Sequence, residues 1–248
     1  MTQLLGRIRA AVDSDIAVIE AWLKRQRQSG VKTLEMNWNL TLKVYRNEGM
    51  LIYEDASSQE AIAYFWGSLS STDSILEVRA DQRGHGVGTA FVEYLLKQAH
   101  VDGEGLLCID CGATESEDFW RKMKFDIEDV GHQVLGKRIL SIPRALPVSA
   151  EPVEVVIRFY PESASYKSDG VPPLAEFRPS AVQDQQGIVW LAEKISCFDL
   201  DRGDLVVEAI LDGTSLCRGK AKHEQARTLG FFSCCNGYAI EKITPPLP

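Results

Sequence analysis

Residues Ser74–His100 read SILEVRADQRGHGVGTAFVEYLLKQAH. The stretch opens as an apolar strand over Ser74–Ala80, passes through Arg83-Gly84-His85-Gly86-Val87-Gly88, and continues from Thr89 as an amphipathic helical pattern. Three glycines within five residues remove the Cβ atoms that keep a ligand from the backbone. A helix that starts directly after such a turn directs its first N–H groups and its positive dipole end into the gap. Strand, glycine turn and helix start together predict a phosphate-holding device.

The rest of the chain sets bounds on what that device serves. Its 248 residues suffice for one large domain or two ordinary ones, and 45% hydrophobic with 25% charged residues is a globular composition. Residues 1–145 hold 17 Lys/Arg against 21 Asp/Glu and the remainder 10 against 14, so each part carries −4 of the net −8. Neither part is a basic arm, which argues against nucleic acid or a membrane surface as a partner bound through charge. The N-terminal MTQLLGRIRAAVDSD has no apolar stretch of signal-peptide length, and a cytoplasmic protein with free thiols is expected. Cys108-x-x-Cys111 resembles half a zinc site, but it lies in an apolar strand pattern with no matching second pair, so no metal is expected. Adjacent Cys234 and Cys235 are read as structural in the same way.

Taken in order, Arg7–Val12 predicts a strand, and Asp13 or Ser14 is placed to cap the helix that runs to Ser29-Gly30. VKTLEMNWNLTLKVYRNEG (31–49) mixes both periods and resists assignment. Met50–Glu54 and Ala61–Leu69 predict a hairpin, and Ser74–Ala80 is the next strand. After the opening helix come a strand at Leu106–Cys111, a helix at Glu115–Lys124, and strands at Phe125–Val130 and Gln133–Leu140.

This order, with the glycine turn after the fourth strand, resembles the GCN5-related N-acetyltransferase superfamily, the acyl-CoA transferases. The family signature Arg/Gln-x-x-Gly-x-Gly/Ala is met by Arg83, Gly86 and Gly88, and the resemblance covers about residues 7–142. It implies an α/β (α+β) mixed central sheet flanked by helices. A dinucleotide-binding βαβ fold would need its glycines near the start of the chain and an acidic residue about 20 residues further on. Here three strands with hairpin-type connections come first. A Walker A loop would need a lysine after the last glycine, and Gly88-Thr89 lacks it.

The resemblance implies acetyl-CoA as acyl donor. Val78 and Ala80 would offer backbone groups to the pantetheine arm, and Gly84, His85, Gly86, Val87, Gly88 and Thr89 would meet the phosphates with Arg83 alongside. His85 fills a position that is usually Lys or Arg in the family. Transfer to an amine requires a base for the amine, donors for the thioester carbonyl and a proton for the departing thiolate. Glu77 and Asp73 are the candidate bases, with Asp110 on the neighbouring strand a third. An ion pair of Glu77 with Arg79, two residues on and on the same face, is the structural alternative. The family's fourth helix commonly reads Asn-x-x-Ala-x-x-Phe-Tyr-x-Lys-x-Gly-Phe. Phe119, Lys122 and Phe125 match it, whereas Ala113, Trp120 and Lys124 replace its Asn, Tyr and Gly. An indole N–H donates a hydrogen bond but does not surrender a proton near neutral pH. Water, Ser116 or Tyr94 would then have to supply the acid.

SIPRALPVSAEP after Leu140 has the composition of a boundary. The expected organisation is an acyl-CoA-binding domain over 1–145, a linker over 146–152 and a β-rich domain over 153–248. In the last, Asp212-Gly213 and Asn236-Gly237 are hairpin signals and Lys220–Thr228 predicts a helix bearing the exposed His223. The expected function is direct acetyl transfer to a small-molecule or protein amine acceptor in a ternary complex. The rival is a non-catalytic CoA-binding interaction or sensor protein whose C-terminal domain binds a partner. A toxin-type transferase acting on charged tRNA would want a basic surface. A homodimer formed through the C-terminal domain is a further expectation.

Overall fold

A computed structural model of the chain describes residues 6–112, 114–131, 133–165, 170–198, 205–234 and 237–245. Ala113, Cys235 and Asn236 lie outside them, as does the start of the N-terminal segment. The chain forms two compact units, Met1–Val101 with Ile109–Gly136, and Asp102–Cys108 with Lys137–Pro248.

The first unit begins with β1 (Gly6–Ala10), α1 (Asp13–Gln28), a 3-10 turn (Leu34–Asn37) and α2 (Trp38–Glu48). The strands β2 (Leu51–Asp55), β3 (Ala61–Trp66) and β4 (Ile75–Val78) follow, and with β1 they form an antiparallel sheet in the order β1-β2-β3-β4. A second 3-10 turn (Ala80–Gln82) leads through the glycines to α3 (Val87–Val101). Next come β5 (Leu106–Asp110), α4 (Thr114–Lys122), β6 (Asp126–Asp129) and β7 (Val134–Ile139), with the strands in the order β5-β7-β6. This is the mixed α/β order expected from the sequence. The segment that resisted assignment is the 3-10 turn plus α2. Its period is blurred because Trp38 and Thr41 are buried while Leu40, also apolar, is 49% exposed.

β3 is buried at all six positions because helices cover both faces of the sheet. On one face Tyr64 lies between Trp22 of α1 and Trp38 of α2, with ring centroids 6.1 and 6.4 Å away. The indoles of Trp22 and Trp66 reach Ala61 O (Trp22 Nε1, 3.2 Å) and Thr41 Oγ1 (Trp66 Nε1, 3.1 Å), whereas the buried Trp38 Nε1 has no partner among the described residues. On the other face Phe65 meets Phe91 of α3 at 6.2 Å. The cap of α1 differs from the sequence expectation. Its N-cap is Val12, which has no side-chain oxygen, and Asp15 reaches back to accept the Val12 N–H at 2.8 Å. Arg9 of β1 holds that same carboxylate at 2.7 and 3.0 Å. Asp13 is instead the first helical residue, and its carboxylate accepts from Tyr45.

α4 ends in a Schellman closure: Lys124 N–H bonds Arg121 O (2.9 Å) and Phe125 N–H bonds Trp120 O (3.1 Å). Phe125 and Trp120, the residues whose apolar contact accompanies this motif, meet ring to ring at 5.2 Å. The residue that must take the left-handed conformation is Lys124, at φ 62°. This accounts physically for glycine being common there in the resembled family.

The second unit is β-rich. β8 (Glu151–Val153), β9 (Val155–Tyr160), β10 (Ala175–Phe177), β11 (Ala181–Gln183), β12 (Val189–Phe198), β13 (Val206–Leu211), β14 (Thr214–Lys220), α5 (Glu224–Leu229), β15 (Phe232–Cys234) and β16 (Gly237–Ile243) build two antiparallel sheets. Their orders are β10-β9-β13-β14 and β15-β16-β12-β11-β8. Ile157, Phe159 and Val207 from the first and Leu191, Ile195 and Ile240 from the second share one core with Leu229 of α5. Asp212 and Gly213 both take positive φ (46° and 78°) between paired β13 and β14, the two-residue hairpin expected of an Asp-Gly pair. Among the described residues no helix is long and apolar enough to cross a membrane.

Replacing Lys124 with glycine relieves a left-handed side chain at the cost of some unfolded-state entropy. Lys124→Gly is expected to stabilise the first unit by about 0.5–1 kcal/mol, measured as a higher midpoint of urea unfolding. A lower midpoint contradicts this account of the closure.

Candidate functional site

The glycines of the opening stretch do different jobs. Gly84 and Gly86 take φ of 77° and 87°, where a side chain is strained, and a Cβ at Gly84 would meet nothing within 4 Å. The turn is thus left-handed and open. Gly88 has entered α3, and a Cβ there would lie 3.3 Å from the Phe119 ring and 3.7 Å from Val78 Cγ2. It lets the start of α3 close against β4 and α4. Ala90 is the first residue of α3 whose N–H finds a helical acceptor, at Gly86 O (3.0 Å). Among the described residues, the N–H groups of Gly84 through Thr89 donate to no protein acceptor. His85 and Thr89 are exposed on this turn, and Val87 is buried beneath it.

Glu77 is buried, with a side chain 6% exposed. It stands opposite Tyr64 in the β3–β4 register and so shares the face covered by α1 and the Leu34–Asn37 turn. Both carboxylate oxygens are engaged: Oε2 accepts the Leu34 N–H at 3.0 Å and Oε1 accepts Arg83 Nη2 at 2.8 Å. Burial pushes this carboxyl up from its ordinary value of 4.5, and the bonds from Leu34 and Arg83 only partly oppose it. Tyr64 is raised too, first by burial and then by the Glu77 charge.

The ion pair expected between Glu77 and Arg79 does not form. Arg79 follows the end of β4, and its guanidinium turns to Asp81 (2.8 Å) and Glu60 (3.0 Å). Arg83 takes the place instead. Its Nε donates to Val78 O at 3.0 Å and its Nη2 also reaches Lys32 O at 3.3 Å. The guanidinium therefore lies along β4 rather than out over the turn. The Ala80 N–H is likewise engaged, by Gln26 Oε1 of α1 at 2.5 Å. The structure thus places side-chain partners on both backbone groups nominated for a pantetheine arm.

The other candidates are dispersed. Asp73 is exposed in the turn before β4, and no described contact joins it to Glu77. Asp110, at the exposed end of β5, accepts from Gly112 N–H (2.8 Å) and Gln133 Nε2 (3.1 Å), a turn-stabilising arrangement. The Ser116 hydroxyl donates to Cys111 O. Trp120 is buried against Phe119 (5.0 Å between centroids) and Phe125. An open cavity of about 420 Å³ lies beside the end of β4, lined by Trp22, Arg25, Gln26, Arg79 and Asp81 among others. Glu77 is not among its walls, so this is not where that carboxylate would act. The contributions of Leu34 and Gln26 had no signal in the sequence. One is a main-chain N–H in an unassigned segment, the other an amide on a helix face, 54 residues from its partner.

No protein-family model and no curated protein sequence matches the chain. Solved structures do, over its N-terminal part. A GCN5-related N-acetyltransferase from Kribbella flavida matches 55% of this chain and 98% of its own, at 15% identity and a TM-score of 0.44. Ard1 from Thermoplasma volcanium matches 55% and 98%, at 19% identity and a TM-score of 0.41. A phosphinothricin acetyltransferase of the same superfamily from Sinorhizobium meliloti, solved in complex with AcCoA, matches 55% and 89%, at 14% and 0.42. At these scores the matches decide nothing about chemistry, and the site is read from its own geometry.

A carboxyl raised by folding contributes stability below its unfolded value, and that contribution is lost as pH rises through its folded value. Stability of the wild type relative to Glu77→Gln is therefore expected to fall as pH rises from 4.5 towards neutrality. Thermal unfolding of both proteins across that range checks it. A difference that is flat, or that grows in favour of the wild type, contradicts the raised carboxyl.

Proposed function

We propose that the first unit binds acetyl-CoA and transfers its acetyl group to an amine. The carrying observation is the left-handed glycine turn, whose N–H groups from Gly84 to Thr89 are uncommitted at the start of α3. Phosphate oxygens need several convergent donors, and an open turn leading into a helix supplies them together with the favourable dipole end. Glu77 is the proposed base: it lies on the strand leading into that turn, and its raised carboxyl suits proton removal nearer neutral pH. Reaction would proceed by direct attack of the amine on the thioester in a ternary complex. The acceptor is a small-molecule or protein amine.

The burial of Trp120 favours a second reading, a protein that binds acyl-CoA without turning it over. A tyrosine at that position would present an ionisable hydroxyl, and here the residue is part of the aromatic packing.

Calorimetric titration with acetyl-CoA tests the binding. The wild type is expected to bind, and Gly86→Glu to lose at least tenfold in affinity, because the new side chain is strained at positive φ and sets a negative charge at the phosphate position. Undiminished binding by the variant overturns the assignment. Release of coenzyme thiol in the presence of a broad amine panel then separates the two readings. Turnover that is abolished in Glu77→Gln supports transfer, and no turnover by the wild type supports the binding protein.

A further inference from the structure

Glu77 as placed is a poor base in one respect: both of its oxygens are engaged and its side chain is almost wholly covered. The two engagements are unlike. The Leu34 N–H belongs to the main chain of a 3-10 turn. Arg83 is a flexible side chain, 46% exposed, whose own backbone adjoins Gly84 at the mouth of the glycine turn. Apart from Glu77, its guanidinium is held among the described residues by two neutral carbonyls, Val78 O and Lys32 O. Nothing within 4 Å of a Cβ position at Gly84 fills the space beside it. A phosphate at the turn would offer the planar guanidinium two strongly charged acceptor oxygens at once, a better match than a single carboxylate oxygen and two carbonyls. A pantetheine amide paired with Val78 O would compete for the bond now made by Nε.

We infer that Arg83 is a positioning residue that couples the two halves of the site. It covers Glu77 in the arrangement described here, and it leaves Glu77 for the coenzyme's phosphates when the glycine turn is filled. Glu77 is then uncovered for the amine and stripped of its cation. The groups facing it after that exchange are the Leu34 N–H from the 3-10 turn and Tyr64 from β3. Arg79 on its own strand remains engaged with Asp81 and Glu60. A buried carboxylate that loses a paired cation binds protons more tightly. Coenzyme binding is therefore linked to partial proton uptake at Glu77.

The inference rests on the coenzyme-binding reading above, and one experiment tells the two apart. Coenzyme A is titrated calorimetrically into the wild type and Glu77→Gln in two buffers of different ionisation enthalpy near neutral pH. The difference between buffers counts protons taken up. The coenzyme's own phosphate contributes to both proteins alike, so the readout is the difference between them. The wild type is expected to take up more, by a fraction of a proton, because a carboxyl that is to accept the amine's proton stays partly ionised. In Arg83→Met the carboxylate has no cation to lose, and the excess is expected to vanish. Arg83→Lys keeps a cation and should restore part of it, which a merely structural role would not require. Equal proton counts in wild type and Glu77→Gln, or an excess that survives in Arg83→Met, overturn the coupling and leave the binding intact. Failure of the wild type to bind coenzyme A overturns both.

Discussion

Burying a carboxylate costs several kcal/mol unless its oxygens are satisfied, and the way Glu77 is satisfied organises the first unit. One oxygen takes a main-chain N–H from the turn before α2; the other takes a guanidinium from the residue that opens the glycine turn. Two segments are thereby tied to one point on β4, the Leu34–Asn37 turn 43 residues before it and the start of the glycine turn six residues after it. The pairing fixes where the Leu34–Asn37 turn crosses the sheet, and it fixes the direction of Arg83. A neutral residue at position 77 would leave Arg83 with only carbonyl acceptors. The same group that costs stability is the one whose carboxyl burial pushes up, a common association at sites of chemistry.

The glycine turn meets a second constraint, on backbone rather than charge. Gly84 and Gly86 supply the left-handed conformation that keeps the N–H groups of the turn from closing onto protein acceptors. Gly88 supplies the absence of a side chain where α3 meets Phe119 and Val78. These are separable demands, and they explain why a motif of this length needs all three. An alanine at 84 would meet no neighbour but would be strained. One at 88 would have an ordinary helical backbone and would press on the Phe119 ring.

Much of this was legible in the sequence, where a local rule governed the outcome. The order of elements in the first unit outside 31–49, the glycine turn and the Asp212-Gly213 hairpin all follow from periodicity or from residues with distinctive backbone preferences. The misses share one cause, long-range partners. Nothing near position 15 says that Arg9 and Asp15, rather than Asp13 or Ser14, will close the start of α1. Nothing near position 77 says that Arg83 will outcompete Arg79. An i, i+2 neighbour shares a face only while the strand continues, and β4 ends at Val78, so Arg79 leaves with the turn. Lys124 is the informative middle case. It stands where the resembled superfamily commonly has glycine, which is visible in the sequence, but only the φ of 62° shows the constraint on that position.

Trp120 bears on the proposed reaction less than its conspicuousness suggests. Its indole belongs to the Schellman closure of α4, where the C3 residue must be apolar to meet Phe125, so its identity answers to packing. A leaving thiol has a pKa near 8.5, whereas an alkyl ammonium such as lysine's has one near 10.4. At neutral pH the thiolate can therefore depart without a strong acid nearby, but the amine cannot attack without losing its proton. The two proton transfers are unequal, and the base carries the greater share of the barrier. By that reckoning the proposed reaction depends most on the carboxylate on β4, and the proposed exchange of Arg83 between that carboxylate and the coenzyme's phosphates would govern it.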